Sequence, residues 1–188
     1  LKAAAQAGYL LSDVFDMDLA ESSRAASALM NKFGLSAQEA YNLIAHGAQK
    51  GANQNGDLLD VIAEYAPKFA EAGLSAEQMM QALISGADQG VFSIDKVGDA
   101  VKEFAIRAVD GSDSTAQAFK DIGLNAKEMS SAMAQGGDSA RAAFEQTVQA
   151  LLDMEDPLAR NQAAVALFGT QYEDLGAAAL PILESMFT

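Results

Sequence analysis

Apolar residues return along this chain at steps of three and four. Ala76, Met79, Met80, Leu83, Ile84 and Ala87 fall at i, i+3, i+4, i+7, i+8 and i+11, one stripe of a helix with 3.6 residues per turn. Leu58, Val61, Ile62, Tyr65 and Phe69 make a second stripe, and Val97, Val101, Phe104, Ala105 and Ala108 a third. Ala140, Phe144, Thr147, Val148, Leu151 and Leu152 make a fourth. Each predicts a helix with one buried face. Two more helices are expected over residues 1–15 and 18–33, Ala-rich and with fewer large side chains.

The punctuation between stripes repeats. Gly34-Leu35-Ser36-Ala37 returns as Gly73-Leu74-Ser75-Ala76 and, loosened, as Gly123-Leu124-Asn125-Ala126. The 39-residue offset from Gly34 to Gly73 also carries Gly47-Ala48 onto Gly86-Ala87, Asp60 onto Asp99 and Glu64-Tyr65-Ala66 onto Glu103-Phe104-Ala105. Units of this size cannot bury an apolar face alone and stack on their neighbours. Ser36, Ser75 and Asn125 each stand three residues before a Glu or Gln, the signature of a capping box at a helix start. Gly47, Gly51 and Gly56, and in the next copy Gly86 and Gly90, read as junctions between paired helices. Asp156-Pro157 opens a helix expected over 157–168 and closed by Gly169, because Pro tolerates the first helical position.

The fold expected is therefore all-α, with repeated helix hairpins packed as a compact bundle or short solenoid-like array. Three sections follow: N-terminal helices over 1–33 that cap the array or link to an upstream segment, hairpin repeats over 34–135, and C-terminal helices over 136–188 carrying Phe168-Gly169-Thr170-Gln171. The start, Leu1-Lys2-Ala3-Ala4-Ala5, has neither an initiator Met nor a cleavable signal and reads as an excerpt of a longer protein.

Charge narrows the possible partners. With 26 acidic and 12 basic residues the net charge is -14, which opposes adhesion to phosphate backbones and anionic membranes. The Gly-Leu-Ser-Ala turn resembles the bend of a helix-turn-helix, but the helix after Ser75 carries Glu77 and Asp88 and no cation before Lys96, so it cannot grip phosphates. No apolar run reaches the ~20 residues that span a bilayer. The chain has no Cys, which excludes disulfides and thiolate metal sites and leaves the compartment open.

Candidate chemistry is sparse. His46 is the only His and has no companion ligand, so a structural or solvated role is expected rather than a metal site. Residues 110–121 resemble a calcium loop but carry Thr115 at the sixth position and Asp121 at the twelfth, where Gly and Glu belong; a turn and a helix capped by Asp113 or Ser114 account for them. Glu155-Asp156 and Glu173-Asp174 are adjacent acids; a glycosidase needs two carboxylates across a cleft, and in a chain with 26 acids such pairs are expected on solvated helix ends. No phosphate loop, activated Ser or dinucleotide fingerprint is present. No catalytic, cofactor-binding or metal-binding residue is nominated, and the chain is read as a non-enzyme.

Gly90-Val91-Phe92-Ser93-Ile94-Asp95-Lys96-Val97-Gly98-Asp99, Ile106-Arg107-Ala108-Val109-Asp110-Gly111-Ser112, and the terminal run from Asp156-Pro157-Leu158-Ala159-Arg160-Asn161 to Leu167-Phe168-Gly169-Thr170-Gln171-Tyr172-Glu173-Asp174-Leu175-Gly176 resemble tail tape-measure proteins of long-tailed bacteriophages and prophages. The likeness covers about residues 18–180. It implies a virion structural protein lying in the tail lumen, made in the host cytoplasm, that takes part in tail assembly, length determination and genome ejection. Tail tube and tail tip proteins, and other copies of itself, are the implied partners, with no specific nucleic-acid binding and no membrane span. The repeated caps and glycines point to a compact helical module rather than a long extended helix. A helical-repeat adaptor unrelated to phage tails is the alternative reading of the same stripes.

Overall fold

A computed structural model describes residues 2–188. The predicted stripes lie on helices and face inward. All six residues of the Met79 stripe, all five of the Tyr65 stripe, and Val97, Val101, Phe104 and Ala108 are buried, with Ala105 half-buried. The helices are α1 (Lys2–Phe15), α2 (Leu19–Phe33), α3 (Ala37–Gln49), α4 (Leu58–Glu71), α5 (Ala76–Asp88) and α6 (Asp95–Arg107), followed by α7 (Asp113–Asp121), α8 (Ala126–Gln135), α9 (Gly137–Leu152), α10 (Pro157–Phe168), α11 (Gln171–Leu175) and α12 (Ala179–Glu184). A 3-10 turn, Gly176–Ala178, joins the last two. No strand occurs among the described residues.

The first six helices form two layers. Helices α1, α3 and α5 pack in succession in one, and α2, α4 and α6 in the other. Within these six helices the broadest contacts join α2 to α4 and α4 to α6, equivalent helices of successive repeats, rather than the two helices of one hairpin. This is the stacked array that the 39-residue period implies. The C-terminal half then folds back on it: α10 and α11 cover α6, α12 bridges α5 and α9, and α7 and α8 link α10 to α9. The accessible surface of 9012 Å² is near the ~8600 Å² expected of a folded monomer of this mass.

The caps form as expected at two of the three turns. Ser36 accepts from the N–H of Glu39 at 3.3 Å while Glu39 accepts from the N–H of Ser36 at 2.7 Å, and Ser75 and Gln78 repeat the exchange at 3.1 and 2.9 Å. Those contacts with the Ser36 hydroxyl and N–H hold the Glu39 carboxyl below its usual range. Asn125 accepts from the N–H of Glu128 at 3.1 Å without a return bond among the described residues, so the third cap is only half a box. This third copy also departs from the period, because α7 is inserted ahead of α8 and a single residue, Gly136, separates α8 from α9.

Two expectations are corrected. Gly47 and Gly86 are not junction residues but lie inside α3 and α5, both buried. A Cβ at Gly47 would meet the Met80 side chain, and one at Gly86 would come within 2.9 Å of Val97 Cγ2; these glycines are small so that neighbouring helices approach closely. The cap of α7 is Ser112, which accepts from the N–H of Thr115 at 3.2 Å, rather than Asp113 or Ser114. Asp110 accepts from the N–H of Ser112 at 2.7 Å and pre-forms that turn.

Gly73 is the most closely packed of the glycines. Its φ of +74° disfavours any side chain, and a Cβ there would fall on the backbone of Gly137 and Arg141 at the start of α9. Gly34 has a similar φ of +71° but open space around it. Gly73→Ala should therefore cost about 3 kcal/mol or more, strain plus backbone displacement, and lower the melting temperature by roughly 6–12 °C. Gly34→Ala should cost only the left-handed penalty, about 1–2 kcal/mol. Thermal unfolding followed by circular dichroism separates the two; equal losses would show that Gly73 is not packed against α9.

Tyr65 sets a pH dependence. Burial, and then the Asp95 carboxylate that accepts its hydroxyl bond at 3.0 Å, hold the phenol proton far above its ordinary range. A folded pKa raised above the unfolded one gives stability that is present below the unfolded value of about 10 and is lost as pH rises toward the folded value. Tyr65→Phe should lose about 1 kcal/mol at pH 8 with the hydrogen bond, yet decline less between pH 10 and 11 than the parent. Urea midpoints at pH 8, 10 and 11 measure both effects, and parallel declines would contradict this role for Tyr65.

Candidate functional site

The residues weighed for chemistry are scattered. His46 is exposed on α3, and no group of three or more His, Cys, Asp or Glu converges among the described residues. Glu155 is exposed, Asp156 caps α10 by accepting from the N–H of Leu158 at 2.9 Å, and Asp174 pairs with Lys96 at 3.2 Å. Asp156 thus caps a helix start and Asp174 joins two helices. Helix α5 is enclosed on most sides, with Ala76, Met79, Met80, Ala82, Leu83, Ile84, Gly86 and Ala87 buried, so it cannot enter a nucleic-acid groove as a recognition helix must. No described helix is long and apolar enough to cross a membrane.

What the structure does assemble is a groove of about 800 Å³ between α10 and the corner made by α11, the 3-10 turn and α12. The terminal motif singled out in the sequence builds it. Asp156 and Pro157 start α10, Gly169 stops it with its N–H on the Val165 carbonyl at 2.9 Å, and the chain turns so that Tyr172 on α11 lies across from Arg160 on α10. Leu158, Val165 and Leu180 supply apolar walls, while Asn161, Gln162 and Glu173 supply polar ones. Burial raises the proton affinity of the Tyr172 phenol, and the nearby Arg160 guanidinium pulls the other way. The Arg160 Nε is buried and has no hydrogen-bond partner.

The sequence carried one signal for this groove, the density of the motif itself. Arg160 and Tyr172 are twelve residues apart and meet only because Gly169, at φ +73°, ends one helix and permits the turn into the next. The apolar residues of α10 do not form one clean stripe: Ala163, Ala164, Leu167 and Phe168 are buried while Leu158 is 66% exposed. An apolar residue off the buried face is what a groove wall looks like before its fold is known.

A second, smaller groove of about 340 Å³ lies between α1 and α3. Leu10 and Val14 line it, and together with Tyr9 they are the most exposed large apolar residues of α1, each 58–64% open. Its rim is made of the amides Gln6, Gln38, Asn42 and Gln49 and holds no charged side chain. Neither groove is lined by a Ser, Thr, Cys, His or Lys, the side chains from which a nucleophile and its base are most often drawn.

The chain is 38% identical over 146 residues, 78% of its length, to a probable tape measure protein of Streptomyces phage phiC31. It is 32% identical over 180 residues, 95% of its length, to the uncharacterized protein YqbO of Bacillus subtilis (strain 168). The matches span 20% and 11% of those relatives, which are several times longer. No solved structure matches. Residues 1–169 match the family of phage-related minor tail proteins, and with most of its length inside that match, this all-helical chain belongs to that family.

Proposed function

We propose that this chain is a compact contact module of a tail tape-measure protein, acting in tail assembly by binding other tail proteins and carrying out no catalysis. The observation that carries the reading is the joining of tape-measure similarity to a folded-back array. Its longest described helix, α9, has 16 residues and spans ~24 Å, whereas 188 residues in one continuous helix would span ~280 Å. A segment that measures tail length by extension does not invest in capping boxes, buried glycines and a shared aromatic core. The exposed apolar residues of α1 and the groove at α10 give the module surfaces for tail tube, tail tip or other copies of itself.

The net charge of -14 suits a position in the tail lumen, since like charge discourages adhesion to the phosphates of passing DNA. Length determination, ejection and the virion lumen are roles of the parent protein in this reading. The family match favours it over an adaptor unrelated to phage tails.

Deleting the codons for residues 34–72 from the parent gene tests the proposal. One repeat is then lost from the array, and negative-stain electron microscopy should show tails of unchanged length with fewer assembled or infectious particles. Tails shorter by about 58 Å, one repeat at ~1.5 Å per residue, would assign the segment to an extended ruler instead.

A further inference from the structure

The groove beside α10 holds a cation that the protein itself does not neutralise. Arg160 takes part in none of the five ion pairs among the described residues. Carboxylates are plentiful, 26 against 12 basic groups, and one of them, Glu173, lines the same groove without pairing with it. Two of the other three arginines are paired, Arg24 with Asp60 at 2.6 Å and Arg107 with Glu103 at 2.9 Å. The Arg160 side chain is half-buried, with its Nε shut from solvent and unpartnered, so the charge is partly desolvated without a counter-ion, and an anion in the groove would meet the outer nitrogens of the guanidinium rather than Nε.

We propose that this groove binds a peptide segment of another tail protein that presents one carboxylate beside an apolar side chain, the carboxylate on Arg160 and the apolar group against Leu158, Val165 and Leu180. The guanidinium fork suits a planar carboxylate, and the phenol of Tyr172 lies beside it in the buried wall. The volume of about 800 Å³ is that of a site for a few side chains. Glu173 at the rim discriminates among anions: it leaves room for a single negative charge on Arg160 but opposes a dianion such as phosphate. The net charge of -14 likewise disfavours segments with many carboxylates.

The proposal rests on the reading of the chain as a contact module and gives that contact a chemistry. Its failure would leave the tail-length result untouched. The probe is acetyl-Leu-Glu-Leu-amide, titrated into the isotopically labelled 188-residue chain and followed by NMR at the Arg160 Nε–H and the backbone amides of Leu158, Gly176 and Leu180. Saturable shifts at those positions are expected, with binding at least tenfold weaker for acetyl-Leu-Gln-Leu-amide and for Arg160→Gln. Leu158→Ser, which keeps the cation, should weaken binding severalfold and serves if the Arg160 variant does not fold.

Absence of saturable shifts, or equal binding of the Glu and Gln peptides, would overturn the proposal. Inorganic phosphate binding more tightly than the peptide would replace it with a small-anion site. Shifts at the same amides on raising protein concentration without any probe would replace it with an interface between copies of this chain.

Discussion

The ring of Phe104 is the point on which the two halves of this protein depend. It sits on α6, the last helix of the repeat array, whose outer side would otherwise face water. Phe104 stacks on Phe144 of α9 at 4.6 Å and on Phe168 of α10 at 4.9 Å, and meets Phe119 of α7 edge-on at 6.5 Å. One side chain thus touches three helices of the C-terminal half. Each such aromatic pair adds about 0.5–1.5 kcal/mol beyond the area it buries, so the array and its cover are joined by directional contacts as well as apolar area. The cluster extends through Phe144 to Phe187 and through Phe168 to Tyr172, and by that last contact the wall of the α10 groove is anchored in the core.

Close approach of helices makes the cluster possible. Gly98 on α6 leaves room for the Tyr65 ring of α4, Gly47 on α3 leaves room for Met80 of α5, and Gly73 lets the α4–α5 turn lie against the first turn of α9. Small residues at these crossings turn a run of amphipathic helices into a layered body with a continuous core. The surface left over is acidic, apart from a few grooves. In the function proposed for it, such a body is a bead rather than a thread.

Local features of the sequence were the legible ones. The stripes through Met79 and Leu83, Tyr65 and Phe69, and Phe144 and Val148 predicted their helices because periodicity is written in consecutive residues. The capping residues Ser36, Ser75 and Asp156 did the same for helix starts. Features produced by contact between distant residues were not legible. Gly47 and Gly86 look like hinge glycines in sequence and become crossing points only when Met80 and Val97 arrive beside them. Phe104, Phe119, Phe144 and Phe168 lie on four helices with no common spacing, so nothing in the chain announces that they meet. Arg160 belonged to a motif that marked the family, but its unpartnered state emerges only once α11 has turned across it.

Compactness is the claim on which the functional reading turns, and small-angle X-ray scattering of the 188-residue chain measures it most directly. The layered array capped by its own C-terminal half should give a radius of gyration of about 16 Å, the value for a globular chain of this length. A value above about 40 Å, in the range of an unfolded or extended chain, would contradict it and return the segment to the role of a ruler.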